Sequence, residues 1–159
     1  MTVAYVGLGA NLEEPRRQVE TALKELGAIP RTRVLKTSSL YRSAPLGYAN
    51  QPDFVNAVAQ IDTELDAPQL LTGLQAIEDR HGRSRSHANA PRTLDLDLLL
   101  FGESTLATHR LAIPHPRMHQ RAFVLKPLLE LAPDVSIPGR GPARTLLQAC
   151  TAQAVERMA

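Results

Sequence analysis

The sequence contains very little cysteine, no tryptophan and no long hydrophobic run. Cys150 is the single cysteine among 159 residues, so an internal disulfide is excluded and an oxidising compartment is not indicated. The longest uninterrupted apolar run, at residues 98–101, is far too short to span a bilayer. No basic segment precedes the apolar stretch at the start, so a signal peptide is not predicted. We therefore expect a cytoplasmic protein.

The length and composition are typical of one globular domain. Apolar residues make up 43% of the chain and charged residues 21%, which excludes the disordered, collagenous and coiled-coil classes. A chain of 159 residues is long enough to bury a core and too short to favour a second domain. We expect residues 1–159 to form one domain, and we expect a monomer.

The positive charge is concentrated in arginine and in one part of the chain. Of the 18 basic residues 15 are arginine, and seven of these lie between Arg80 and Arg121 together with only three acidic residues. Arginine is suited to bidentate binding of phosphate. The cluster therefore indicates a phosphorylated small molecule or a nucleic acid as ligand, and the alternative is a solvated surface with a compositional bias toward arginine.

Hydrophobic periodicity predicts an α+β protein. Four strands are predicted, at residues 2–9, 33–41, 54–63 and 93–101. The helices are predicted from Pro15 to a stop at Gly27, from a cap at Asp66 to an end at Gly82, at residues 122–131 and near residues 143–150. The order strand–helix–strand–strand–helix–strand is typical of a ferredoxin-like antiparallel sheet with helices on one side.

Three connections are predicted from composition or from the lack of periodicity. Gly7 and Gly9 are expected to form a tight turn after the first strand, and residues 43–52 a long loop. Residues 83–91 have no apolar periodicity and are expected to form a mobile loop.

Two aspartates in the last predicted strand carry the strongest chemical signal. Side chains alternate along a strand, so Asp95 and Asp97 share one face, with Cα atoms roughly 6.5–7 Å apart, and leucines occupy the other. Aspartate disfavours strands, and two carboxylates on one face repel each other unless a cation compensates. Mg²⁺, which binds one or two carboxylates plus phosphate oxygens and water, is such a cation. The alternative is the solvated outer face of an edge strand.

Arginines flank this strand. Arg92 directly precedes it, and Arg83 and Arg85 lie in the loop before it. Carboxylates that hold metal ions, together with arginines carried by a loop, are what phosphoryl transfer requires. The sequence therefore predicts a phosphoryl-transfer site.

Other chemistries lack their motifs. There is no G-x-x-x-x-G-K-[ST] loop, and residues 7–12 give G-x-G without the third glycine of a dinucleotide site. His115 and His119 are four apart, but two prolines interrupt the helix that a zinc pair needs. The G-x-S-x-G elbow of serine hydrolases is absent.

The sequence Pro-Arg-Thr-Leu-Asp-Leu-Asp at residues 91–97 resembles the signature of the 6-hydroxymethyl-7,8-dihydropterin pyrophosphokinases of folate biosynthesis. The resemblance covers residues 2–138. Further segments resemble the family in the same order, at residues 9–12, 38–42, 45–47, 51–57, 82–83, 113–115 and 121–123.

The resemblance implies a reaction and a set of phosphate-binding residues. Members transfer pyrophosphate from ATP to the hydroxymethyl group of a reduced pterin and release AMP. Asp95 and Asp97 would hold two Mg²⁺ ions, and either Asp97 or a metal-bound group would take the hydroxyl proton. Arg83 and Arg92 would grip phosphate. The implied ATP contacts are Gln75, Glu78, Arg110, His115 and Arg121, of which Gln75 and Glu78 also fit an ordinary solvated pair on one helix face.

The resemblance also implies a pterin site. Phe54 and Phe123 would stack on the flat bicycle, and Asn56 would offer it both a donor and an acceptor. Ser43, Ala44 and Leu46 would supply loop and backbone contacts. The alternative for each phenylalanine is an ordinary core position.

The loop before Arg92 departs from the family pattern. It lacks the usual tryptophan and is one residue shorter, and Pro116 replaces a residue that is commonly aromatic. We therefore expect retained activity with weaker sequestration of the pterin. Two other interpretations stay open, a relative that binds pterin without catalysis and a ferredoxin-like RNA-binding module, which would need exposed aromatics on its sheet.

Overall fold

The computed structural model describes residues 1–45, 51–82 and 93–158. Its ten strands are β1 (Thr2–Ala10), β2 (Thr32–Thr37), β3 (Tyr41–Ser43), β4 (Phe54–Thr63), β5 (Asp95–Phe101), β6 (Leu106–Ala107), β7 (Ala112–Ile113), β8 (Ser136–Ile137), β9 (Gly141–Pro142) and β10 (Val155–Arg157). Its α-helices are α1 (Pro15–Leu26), α2 (Ala67–Arg80), α3 (Ala122–Leu131) and α4 (Ala143–Gln148), and a 3₁₀ helix spans Met118–Gln120. The loop predicted at residues 83–91 lies outside the described residues.

The main sheet has the predicted ferredoxin-like topology. Its strands follow the order β10-β3-β4-β1-β5, β2 also pairs with β4, and every pairing is antiparallel. Strand β4 coincides with the prediction at residues 54–63. Within the described ranges, the chain forms no helix that is both long enough and apolar enough to cross a membrane.

The second predicted strand is wrong as a single element, because it divides into β2 and β3. Ser38 interrupts the ladder: its backbone N–H donates to the Val58 carbonyl, and its hydroxyl accepts from the Val58 N–H at 2.9 Å. A side-chain oxygen thus takes the place of a main-chain carbonyl, and the chain bends before it pairs again at Tyr41. The loop predicted at residues 43–52 also begins later, since Ser43 still belongs to β3.

The helices begin and end close to the predicted signals. The Asp66 carboxylate accepts from the Gln69 N–H at 2.8 Å, and the Gln69 side chain accepts from the Asp66 N–H at 3.0 Å, so α2 starts with a complete capping box. Gly82, just after α2, has a φ of 75°, which a side chain would disfavour. The predicted end near Gly82 is therefore confirmed.

Helices cover both faces of the sheet, where one covered face was expected. On the first face, α1 and α2 bury a core that includes Val6, Leu96 and Leu98. On the second face, α3 packs over Tyr41 and Val58 with residues from the C-terminal segment. The second layer arises because α3 is apolar around most of its surface.

A β-bulge in β5 shifts side chains between these faces. Val6 pairs with Leu98 but Tyr5 pairs with Leu100, so Leu99 is an extra residue in β5. Leu99 and Leu100 both join the second core, whereas Leu98 belongs to the first. The alternation that sets the face of Asp95 and Asp97 thus ends at the bulge.

A carboxylate joins α3 to the connection between β2 and β3. Glu130 accepts from the Tyr41 hydroxyl at 2.7 Å and from the Ser39 N–H at 3.0 and 3.1 Å. Burial and the Glu130 hydrogen bond raise the pKa of Tyr41 to about 12. Burial alone would raise the pKa of Glu130, but the hydrogen bonds from Tyr41 and Ser39 outweigh burial and lower it.

Tyr41→Phe is expected to cost about 1 kcal/mol of unfolding free energy at pH 7, the net contribution of one hydrogen bond. The part of the unfolding free energy that depends on ionised Glu130 is fully present above the ordinary Glu130 pKa of 4.5. It is lost as pH falls through the lower pKa that Glu130 has in the folded protein. The part of the unfolding free energy that depends on protonated Tyr41 is fully present below pH 10, and it is lost as pH rises toward the folded pKa of about 12. Urea unfolding at pH 4, 7 and 11 should therefore show the largest cost at pH 7.

Tyr5→Phe is the matched control. The Tyr5 hydroxyl accepts from the Gln60 amide at 2.8 Å, so no carboxylate titrates with it. Its cost should not change between pH 4 and 7. A Tyr41→Phe cost that is equally constant over this interval would contradict the assigned role of Glu130.

Candidate functional site

Asp95 and Asp97 lie on the second face of the sheet, the one that α1 and α2 leave uncovered. Both are partly exposed, while Leu94, Leu96 and Leu98 between and beside them are buried on the first face. The prediction that the two carboxylates share one face is confirmed. Both are engaged in interactions with other groups of the protein.

Gly7 and Gly9 lie inside β1 and not in a turn, so the turn prediction was wrong. Gly9 pairs with Asn56 of β4 on one side and with Asp95 on the other, and Gly7 pairs in the same way with Val58 and Asp97. Pairing on both sides keeps these glycines in the central strand. Residues that pair directly across neighbouring strands point to the same face of the sheet. Because glycine has no side chain, β1 contributes none at these two positions between β4 and β5.

The space above Gly9 is narrow. A Cβ at Gly9 would lie 3.1 Å from Asn56 Nδ2, closer than ordinary contacts, and 4.0 Å from Phe54 Cδ1. Glycine thus allows the Asn56 amide to lie against the backbone of β1. This requirement for a close approach explains a residue that otherwise weakens a strand.

Three of the residues expected to bind pterin lie together beside Gly9. Asn56 is 3% exposed, and its Oδ1 accepts from the Ser43 hydroxyl at 2.5 Å. Phe54 is paired with Ser43 across β3 and β4 and shares the same face. With Oδ1 held by Ser43, the amide nitrogen of Asn56 is the group oriented toward β1. Ala44 follows β3 and is exposed.

Asn11 brings two separate segments together at this site. It is 2% exposed, and its amide donates to Gln51 Oε1 at 2.6 Å and to the Pro52 carbonyl at 3.1 Å. The chain that leaves β1 is thereby fixed to the chain that enters β4.

His115 lies beside Asp97, and its contacts and burial determine its protonation state. Its Nε2 is 3.9 Å from Asp97 Oδ1, and its Nδ1 accepts from the Arg117 N–H at 3.1 Å. Burial, followed by the positive charge of Arg121, lowers the pKa of His115 to about 4, against the opposing effect of Asp95. The ring is therefore neutral at pH 7, and since Nδ1 accepts, Nε2 carries the proton.

Arg121 connects the residues expected to contact ATP with those expected to contact pterin. Its Cζ lies 5.5 Å from the centre of the Phe123 ring, a cation–π distance. Its charge also acts on His115, as the lowered pKa shows. Arg121 and Phe123 are held at the start of α3, where Arg121 is the residue preceding the first helical position.

Glu78, Gln75 and Arg110 lie along the outer edge of β5. Glu78 is 3% exposed, and its carboxylate accepts from the Leu96 N–H at 2.7 Å. Arg110 donates to Thr72 Oγ1 at 2.9 Å and to Gln75 Oε1 at 3.4 Å. The solvated-pair alternative thus fails for Glu78, which is buried, while Gln75 is joined to Arg110.

The donor set suits Mg²⁺ bound jointly with a ligand. In residues 1–45, 51–82 and 93–158, no three His, Cys, Asp or Glu side chains are grouped closely enough to enclose a metal. Two partly exposed carboxylates on one face match a cation that takes its remaining ligands from phosphate and water. Of the other expected site residues, Leu46, Arg83 and Arg92 lie outside the described residues.

Comparisons with known proteins agree on one family. A family model described as 7,8-dihydro-6-hydroxymethylpterin-pyrophosphokinase (HPPK) matches residues 5–133. Over 154 residues the chain is 51% identical to a 2-amino-4-hydroxy-6-hydroxymethyldihydropteridine pyrophosphokinase of Pseudomonas aeruginosa, covering 97% of this chain and 95% of the relative. A protein of the same name from Haemophilus influenzae is 49% identical over 138 residues, covering 87% of this chain and 86% of the relative.

A solved structure shows the same fold. The Plasmodium falciparum HPPK-DHPS wild type with pteroate aligns with a TM-score of 0.75 at 15% identity, over 95% of this chain and 44% of that chain. This chain therefore spans less than half of that protein.

We expect the His115 ring of the protein without added metal or nucleotide to titrate with a midpoint near pH 4, because burial and Arg121 disfavour its charged form. At pH 7 its ¹⁵N shifts should report the neutral Nε2–H tautomer. The measurement is an NMR titration, with the His115 resonances assigned from their loss in His115→Gln. A midpoint near 6.5 would contradict the described surroundings of the ring.

Proposed function

Because the chain belongs to the 7,8-dihydro-6-hydroxymethylpterin-pyrophosphokinase family, we propose that it transfers pyrophosphate from ATP to the hydroxymethyl group of 6-hydroxymethyl-7,8-dihydropterin. The products are the pterin diphosphate and AMP, and the reaction belongs to folate biosynthesis. The observation that carries this proposal is the row Asn56–Gly9–Asp95, which sets an amide and a carboxylate on one face of three adjacent strands.

Asp95 and Asp97 are assigned to two Mg²⁺ ions. Their common face and their partial exposure support this assignment. When bound, the ions would offset the negative charge of the ATP phosphates and of the transferred group.

The pterin is assigned to the pocket around Asn56. The flat bicycle needs aromatic walls and a few fixed hydrogen-bond partners, and Phe54 and Asn56 lie on one face beside Ser43. Phe123, at the start of α3, is assigned as the second wall. The remaining contacts are assigned to Ala44 and Leu46.

ATP is assigned to the side of β5 that carries His115 and Arg121. The neutral His115 offers its Nε2–H as a donor without adding charge, while Arg121 supplies a permanent cation. Further contacts are assigned to Gln75, Glu78 and Arg110 along the edge of β5, and to the phosphate grips Arg83 and Arg92.

The reaction follows from this arrangement. The pterin hydroxyl oxygen attacks the β-phosphorus of ATP, the bond from that phosphorus to the α–β bridging oxygen breaks, and AMP leaves with the electron pair. Either Asp97 or a metal-bound group is a candidate acceptor for the hydroxyl proton, since Asp97 is partly exposed on the same face as Asp95. Positioning of the two substrates supplies much of the rate.

We also propose that the chain acts as one domain, as a monomer and in the cytoplasm, without nucleic acid or membrane partners. The lone cysteine supports the compartment. The carboxylates on the face where RNA-binding modules stack bases oppose a nucleic-acid role, because they would repel the phosphate backbone.

Asp97→Ala is expected to lower kcat for AMP formation at least about a thousandfold, because the metal-assisted step loses a carboxylate. Pterin affinity, measured by calorimetry, should change less than about threefold, since uniform binding does not involve this carboxylate. Chelation of Mg²⁺ in the wild type should abolish turnover in the same assay.

Asp134→Ala is the matched control, because the Asp134 side chain is 96% exposed and pairs with Arg144 at 3.6 Å. It should keep wild-type kinetics. Near-normal turnover of Asp97→Ala would refute its role. A wild type that binds pterin and ATP without forming AMP would favour the alternative of a relative with impaired catalysis.

Gly9→Ala is expected to weaken pterin binding about tenfold, because the new methyl group displaces the Asn56 amide that it would meet at 3.1 Å. Affinity for MgATP should change much less. The comparison variant Gly73→Ala meets the Ile29 side chain at 3.2 Å, far from this row, and tests for a general cost of crowding. Equal losses of pterin affinity in both variants would contradict the site.

A further inference from the structure

Gln153 binds the backbone on both sides of Arg121. Its Oε1 accepts from the Ala122 N–H at 2.9 Å, and its Nε2 donates to the Gln120 carbonyl at 2.7 Å. The two bonds span the single residue between them. Both ends of the Gln153 amide are thus committed to fixing the chain that carries Arg121.

The two Gln153 hydrogen bonds satisfy backbone groups that the neighbouring helical turns do not satisfy. Arg121 is the N-cap of α3 but makes no side-chain cap bond, so the first N–H of the helix needs a partner from elsewhere. Gln153 provides it from 31 residues away. The carbonyl of Gln120, at the end of the 3₁₀ helix, is satisfied by the same amide.

Gln153 is itself well supported. Its own N–H donates to the Cys150 carbonyl at 3.0 Å, in the turn that follows α4. Cys150 is 6% exposed and belongs to the second core, together with Ala143 of α4. The amide is therefore presented from a packed segment rather than from a loose end.

The backbone fixed in this way determines where the Arg121 guanidinium lies. Arg121 has extended φ and ψ values of −119° and 106°, between the 3₁₀ helix and α3. Its guanidinium lies over Phe123 and close enough to His115 to lower that pKa. The Arg121 backbone thus lies between two peptide groups that Gln153 holds.

We propose that Gln153 is a positioning residue for Arg121, which holds the guanidinium ready for the ATP phosphates. The proposal rests on the function proposed above. It extends the site to a part of the chain that lies beyond the matched family segment, residues 5–133. Preorganisation of this kind lowers the cost of binding, because the arginine need not be ordered by the ligand.

Gln153→Ala is expected to raise the KM for MgATP about fivefold, the factor of roughly one net hydrogen bond, with kcat within about twofold. The KM for pterin should not change. The matched control is Gln148→Ala, which removes the same side chain from an exposed position at the end of α4. It should leave all three constants unchanged.

A double-mutant cycle separates positioning from general support of the fold. In an Arg121→Ala background, Gln153→Ala should have no further effect on the KM for MgATP, because the residue through which it acts is gone. Effects that multiply in the double variant would overturn the proposal. The thermal midpoints of all variants show that folded proteins are being compared.

Gln153→Glu keeps the proposal testable if the alanine variant does not fold. A glutamate still accepts from the Ala122 N–H but places an acceptor against the Gln120 carbonyl where Gln153 places a donor, so the KM for MgATP should rise above that of wild type. A wild type that forms no AMP would defeat the proposed function. An active wild type with unchanged constants in both Gln153 variants would defeat only the role of Gln153.

Discussion

Two missing side chains let neighbouring groups approach the central strand of the sheet closely. Gly7 and Gly9 occupy the central strand of the sheet, where pairing on both sides fixes a backbone that glycine alone would leave loose. Glycine inside a strand costs roughly 0.5–1 kcal/mol relative to alanine. The cost falls where it is useful, because without a Cβ at Gly9 the Asn56 amide can lie against this strip of backbone, on the face that also carries Asp95. The fold is stabilised by cores on either face, so the strip itself need not contribute packing.

The charges around this strip are arranged for a highly anionic ligand. Arg121 remains cationic at any relevant pH, whereas burial keeps His115 neutral, so the ring donates without competing with metal ions for the carboxylates. Asp95 and Asp97 would repel phosphate by themselves, and divalent cations reverse that repulsion. Under the proposed function, the same residues would discourage binding of a nucleotide without metal and would favour the complex of the two.

Local pattern predicted those parts of the molecule that local interactions determine. Strand β4 and the alternation around Asp95 follow from period-two hydrophobicity, and the start of α2 follows from the cap at Asp66. The strand break at Ser38 could not be predicted, since it depends on a hydrogen bond to Val58 across the sheet. The short strands β6 to β10 have too few residues for any period to appear. In the site, the common face of the two aspartates could be predicted from alternation along one strand. The row Asn56–Gly9–Asp95 could not be predicted, because it depends on the register between three strands, which no local pattern contains.

The buried carboxylate of Glu78 has a consequence for the behaviour of the protein at high concentration. Strand β5 is the last strand of the sheet, and an exposed edge of this kind is a template on which other chains can pair and aggregate. Glu78 occupies the Leu96 N–H on that edge, and the His115 N–H occupies the Leu99 carbonyl further along. An incoming strand would have to displace the buried Glu78 side chain before it could form a ladder there, so these two hydrogen bonds oppose the pairing of another chain along β5.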